Sequence, residues 1–234
     1  MVHKKPGVFL FVQNINAKTP VNCTLPDIRY KLQKILWRHI PMQTVSDSKR
    51  RHWALRDVLL LAFVAVFIGF IFWVLGPVYN VLAAALTPMG LAPFANDLLL
   101  GGWMMAAPLA SILIRQAGAG LLGELFAAAV EMLLGGQWGV ATLLSGLVQG
   151  IASEAGFAVL AYKDWHWRGI FSSAVTGAVI TFIWSLFRDG YASYHIGLLV
   201  ALFLTRFVSL LFFGGVLVVA IQKLIEKAGV LRRD

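Results

Sequence analysis

Residues 121–140 read LLGELFAAAVEMLLGGQWGV, and two carboxylates, Glu124 and Glu131, stand in a run otherwise suited to hydrocarbon. A carboxylate at membrane depth costs about 2 kcal/mol or more unless something compensates it, so each needs a partner in the chain or in a ligand. Seven residues apart, the two share one face of a helix. The run itself points to helix: lipid leaves no partner for an open strand edge, and the alternating polarity of a β-barrel strand is missing.

The whole chain follows the same pattern. Of its 234 residues 59% are hydrophobic and 13% charged, and a mean hydropathy of +0.77 lies far outside the range of a soluble domain, so the sequence reads as an all-α polytopic membrane protein. The net charge of +9 comes from residues at the edges of apolar runs and in the N-terminal segment, where anionic head groups are the natural partner. Nothing resembles a nucleic-acid recognition module, so no nucleic-acid partner is expected. The single cysteine, Cys23, rules out an internal disulfide, and no Cys/His spacing suits a metal. A G-x-x-x-x-G-K-[ST] loop is absent, so the chain holds no ATP of its own; a G-x-S-x-G elbow and an H-E-x-x-H zinc helix are absent too, which argues against an intramembrane enzyme.

Apolar runs long enough to cross about 30 Å of hydrocarbon fall at 57–76, 98–115, 118–135, 139–161, 168–187 and 195–222, predicting a compact bundle of six transmembrane helices. Residues 1–51 form a polar N-terminal extension without a signal-peptide core, 52–228 the transmembrane substrate-binding domain and 229–234 a basic tail. Asn22 begins a glycosylation sequon that matters only in a glycosylating compartment. Lys49, Arg50, Arg51 and Arg56 precede the first run, Arg115 follows the second, Lys163 and Arg168 separate the fourth and fifth, and Lys223, Lys227, Arg232 and Arg233 follow the sixth. Six alternating helices put all of them on one side, which makes that side and both termini cytoplasmic. The connection GPVYNVLAAALTPMGLAPFAND, 76–97, is then external, either a lid over the outer face or a continuation of the first helix.

On this topology Glu131 lies within about one turn of the outer surface and Glu124 about two turns deeper. Gln149 sits near mid-membrane, Glu154 deeper, and Arg206 at middle depth. Glu154 and Glu124 have two readings, an ion pair with Arg206 or a ligand contact, whereas Glu131 has no cation at its level except Arg188 and points to a ligand. Tyr79, Trp103, Trp138, Trp184 and Tyr191 ring the outer ends, as an interfacial belt or as the walls of a site. Trp103 sits inside its helix after two glycines, where it can face the bundle. A pocket of tryptophan, tyrosine and carboxylate suits a flat cationic or amidine-like heteroaromatic ligand, the rings stacking and the carboxylate taking the charge or ring N–H donors. Ala62, Ala65 and Gly69 give the first run small residues at helical spacing, suited to close approach of a partner helix or to packing within the bundle.

The run APLASILIRQAGAGLLGELFAAAVEMLLGGQWGVATLLSGLVQGIASEAGFAVLAY, 107–162, resembles the YkoE-type substrate-binding (S) components of energy-coupling factor (ECF) transporters. The matching stretches are G-E-x-x-A-A-x-V-E-x-x-L-G, Gly123 to Gly135, and Q-G-x-x-x-E, Gln149 to Glu154; WALRDVLLLAFVAVFIGFIFWVLGPVY, 53–79, is similar to the family's first helix. The resemblance covers about 52–228 and leaves 1–50 outside. It implies six transmembrane helices in a prokaryotic plasma membrane, binding of a vitamin from outside, docking of the first helix on a transmembrane scaffold subunit, and ATP hydrolysis by separate ATPase subunits. Its substrate branch is thiamine or the hydroxymethylpyrimidine precursor of thiamine. Taken with the reading of the residues above, the candidate ligand set is Glu131, Glu124, Trp103, Trp138, Tyr79, Gln149 and Glu154, with Ala62, Ala65 and Gly69 at the scaffold contact. A stand-alone secondary transporter is the rival reading, because buried carboxylates can carry protons, but no internal duplication supports it.

Overall fold

The computed structural model describes residues 53–228; the expected extension and tail, with Cys23 and Asn22, lie outside them. The described residues are helical, as the apolar runs require. Helix α1, Leu55–Leu86, is 32 residues and about 48 Å long. Asp57 steadies its first turn by accepting the Ala54 N–H at 3.1 Å and is itself held by Gln116 Nε2 at 2.7 Å. Leu61, Val64, Ala65, Ile68 and Phe72 recur at helical spacing and are buried, while Phe63, Phe67, Phe70 and Trp73 face outward as a lipid-facing surface does. Of the two readings of the connection after Gly76, helix continuation is what occurs: α1 runs through Pro77 to Leu86.

The second apolar run departs from the continuous helix expected over 98–115. It is a short helix α2, Pro93–Leu99, a 3-10 turn at Gly102–Met104 and a helix α3, Ala106–Ile114, with a bend of 43° at the break. Helix α4, Ala119–Leu133, carries both glutamates of the opening stretch and is 15 residues long, about 22 Å. It packs against α1, α3 and α5, Ala141–Val159, and α5 packs in turn on α6, Trp167–Arg188. The last run is α7, Ile196–Leu210, which passes through a π-helical stretch, Leu211–Leu217, into α8, Val218–Lys227. Among the described residues four helical stretches are long and apolar enough to span a membrane, Leu55–Met89, Ala141–Val159, Trp167–Arg188 and Ile196–Lys227, and the bent pair makes a fifth.

Candidate functional site

A cavity of about 400 Å³ opens where α1, the α2–α3 break, α4, α5, α6 and the turn after α6 converge. One wall is aromatic. Trp103, Tyr79 and Trp138 form a triangle of edge-on rings with centroids 5.9, 5.6 and 5.2 Å apart. Each comes from a different element, so tertiary packing holds the triangle together. Trp103 donates its indole N–H to the Phe72 carbonyl on α1 at 3.2 Å. Trp138 stands in the turn GGQWG, where Gly135 and Gly139 take positive φ of 83° and 54°. Its neighbour Gln137 ties that turn to α1, accepting from Asn80 Nδ2 at 2.6 Å and donating to the Gly76 carbonyl at 3.5 Å.

The same cavity is lined by Glu131, 3% exposed, whose carboxylate has no hydrogen bond or ion pair to any described residue. A carboxylate desolvated without a partner is costly, and its place at a cavity wall makes it a candidate ligand contact. The remaining wall is polar: Gln149, Ser145 and Thr142 occupy one face of α5, and Arg188 at the end of α6 donates to Ser145 Oγ at 2.5 Å. Two polar atoms embedded in the lining, Thr142 Oγ1 and Trp184 Nε1, have no hydrogen-bond partner among the described residues. Tyr191, in the turn after α6, has its phenol pushed above its ordinary range by burial and by the nearby Asp97 carboxylate, which keeps it a proton donor.

Five of the seven ligand residues expected from sequence line this cavity: Glu131, Trp103, Trp138, Tyr79 and Gln149. Glu124 and Glu154 stand elsewhere. Glu124, fully buried, accepts the Ala107 N–H at 2.8 Å in the first turn of α3. Glu154 takes the N–H groups of Gly118, Gly120 and Leu121 at 2.6, 2.9 and 3.2 Å at the start of α4. Both carboxylates cap helix N-termini, supplying acceptors to backbone donors that lipid would leave unpaired. Neither meets Arg206. That guanidinium, fully buried, pairs with Asp97 on α2, Nε at 2.6 Å and NH2 at 2.5 Å from Oδ1. Ala65 and Gly69 pack inside the chain: a Cβ at Gly69 would stand 2.7 Å from the Ala127 carbonyl of α4, so only Ala62 of the three is exposed. Sequence reasoning missed Asn96, Thr142, Ser145, Ser185 and Tyr194 in the lining. The spacing of Thr142, Ser145 and Gln149 on an apolar helix was the signal available for the α5 wall.

A concave aromatic pocket with a buried carboxylate that no described residue pairs, set into a bundle of membrane-spanning helices, defines a membrane-embedded substrate-binding component of a transporter. The match with known proteins is consistent with that class. The chain belongs to the family described as ABC-type cobalt transport system, permease component, whose model matches residues 56–180, more than half of the chain. It is 28% identical over 181 residues to the HMP/thiamine permease protein YkoE of Bacillus subtilis (strain 168), an alignment covering 77% of this chain and 88% of that protein. A crystal structure of an S-component of an ECF transporter superposes with a TM-score of 0.71 at 28% identity, covering 76% of this chain and 88% of that one. The chain is thus a substrate-binding subunit of the ECF type, a transport protein built to work in a membrane.

Proposed function

We propose that this subunit captures thiamine or its hydroxymethylpyrimidine precursor from outside a prokaryotic cell and delivers it inward with ATP hydrolysed by partner ATPase subunits. The observation that carries the reading is Glu131, a carboxylate without a partner among the described residues, in the same cavity lining as the ring triangle of Trp103, Tyr79 and Trp138. Aromatic rings hold a flat heterocycle by stacking and by attraction to its positive charge, and a carboxylate accepts from the aminopyrimidine or faces the thiazolium. The cavity volume lies in the range of small-molecule sites. Cobalt suits this lining poorly: among the described residues it holds no histidine or cysteine, and no three His, Cys, Asp or Glu side chains could together hold a metal ion.

The topology that goes with this reading has six crossings and cytoplasmic termini, with 1–51 as a polar extension before the 52–228 domain and 229–234 as a cytoplasmic tail. A transmembrane scaffold subunit would dock on the exposed strip of α1 around Ala62, since Ala65 and Gly69 are taken up internally. Uptake of labelled thiamine and of labelled hydroxymethylpyrimidine, measured in a transport-deficient host with and without scaffold and ATPase subunits, tests the proposal. Uptake only with the full set supports it. Equal uptake by this chain alone would replace it with secondary transport.

A further inference from the structure

The second span breaks at Leu100–Gly101, and a break at membrane depth strands backbone groups that a continuous helix would pair. Helix α7 supplies the partners. Ser209 Oγ accepts the Gly101 N–H at 3.0 Å and donates to the Leu98 carbonyl at 2.7 Å, so one hydroxyl serves both sides of the break. The α7 backbone lies so close that a Cβ at Gly101 would overlap the Ser209 carbonyl, which is why glycine stands there. Three residues earlier, on the same face of α7, Arg206 grips Asp97 on the other side of Leu98. The guanidinium also donates to Ser185 Oγ at 2.9 Å and Thr181 Oγ1 at 3.4 Å and lies over the Phe182 ring, 5.1 Å from its centroid. The second oxygen of Asp97 accepts from the Tyr191 hydroxyl at 3.1 Å.

Asp97, Arg206 and Ser209 lie outside the cavity lining, yet what they hold lines it: Trp103 two residues beyond the break on one side, Thr181, Ser185 and Tyr191 on the other. A buried ion pair adds little net stability over apolar residues of the same volume, so bridging α2, α6 and α7 at one point is better explained by the geometry it fixes. We propose that Arg206 and Ser209 are positioning residues for the ligand: by clamping the break in the second span they set the angle at which Trp103 enters the cavity, and through Asp97 and Ser185 they fix the wall facing it. The inference rests on the reading of the cavity as the thiamine or hydroxymethylpyrimidine site. Sites of this kind lose affinity when a supporting shell slackens by a fraction of an ångström.

The test is a double-mutant cycle on the purified full chain, titrated calorimetrically with thiamine and with hydroxymethylpyrimidine. Ser209→Ala should lower affinity about tenfold against wild type and have little further effect in a Trp103→Phe background, because both changes act through the same indole. Arg206→Lys keeps the charge opposite Asp97 but loses the planar fork, and enters the same cycle should Ser209→Ala not fold. Purely additive losses, or no loss in the folded single variant, would overturn the assignment while leaving the substrate reading in place. Wild-type protein that binds neither compound would overturn the substrate reading and this inference with it.

Discussion

Glu131 and Glu124 stand on one face of one helix, separated by two turns, and the structure uses them in opposite ways. At the cavity end, the Glu131 carboxylate lines the same cavity as the aromatic rings and has no donor among the described residues. At the far end, Glu154 uses both oxygens on three backbone N–H groups at the start of α4, and one Glu124 oxygen takes a fourth at the start of α3, its Oε1 having no partner among the described residues. On the proposed reading, equal chemistry in similar sequence surroundings is divided between binding and architecture, and what divides it is whether a helix end lies within reach. The break between α2 and α3 and the turn between α3 and α4 place helix N-termini inside the bundle, and a buried N-terminus in a membrane needs an acceptor. Among the described residues no helix N-terminus reaches Glu131, and on the proposed reading its carboxylate remains for a ligand.

The sharpest way to break this division is to disturb the architecture. Arg206→Leu leaves Asp97 buried without its cation and should cost about 3–5 kcal/mol of stability, read as a large fall in the thermal unfolding midpoint in detergent. A midpoint within a degree or two of wild type would mean that Asp97 finds another partner and that the pair is dispensable. Glu154→Ala strips three N–H groups of their acceptor and should cost about 1–3 kcal/mol, with ligand affinity changed less than threefold in the folded fraction. A large affinity loss at full stability would move Glu154 into the site. Trp138→Ala does the reverse: removing an exposed ring of the triangle should cost about 1 kcal/mol of binding, roughly fivefold in affinity, and hardly touch stability.

The smallest effect belongs to Tyr162, in the turn after α5. Its hydroxyl is pushed up to about 12, first by burial and then by the neighbouring Glu154 carboxylate. A phenol whose folded value is raised contributes stability that is complete below the unfolded value near 10 and is lost as pH rises through the folded one. Stability of wild type should therefore fall more steeply between about pH 10 and 12 than that of Tyr162→Phe. Parallel curves would detach Tyr162 from the capping end.

The aromatic half of the site was legible in the sequence because position along a spanning helix fixes depth, and depth alone brings Tyr79, Trp103 and Trp138 to one level. Glu131 was legible for the same reason. The roles of Glu124 and Glu154 were not, because capping joins residues 17 and 36 positions apart and depends on where another helix begins. Asp97 escaped for a related cause: reading the second segment as an uninterrupted helix from 98 left it in the outer connection, whereas the chain turns into the bundle earlier and breaks at Gly101. Hydropathy measures transfer to lipid and is silent about a bend whose partners sit on a helix a hundred residues later. Gly101 and Gly102 were the visible trace of that bend, two residues poor in helix propensity inside a spanning segment.

On the proposed reading Glu131 serves the ligand and nothing else. Calorimetric titration of wild type and Glu131→Gln with thiamine and hydroxymethylpyrimidine, paired with thermal unfolding of both proteins, tests that directly. Removing the charge while keeping the shape should cost a charge-assisted hydrogen bond, about 1.5–3 kcal/mol or roughly ten- to a hundredfold in affinity, with the unfolding midpoint unchanged. Unchanged affinity for both compounds, or a loss of stability like that of Glu154→Ala, would contradict it.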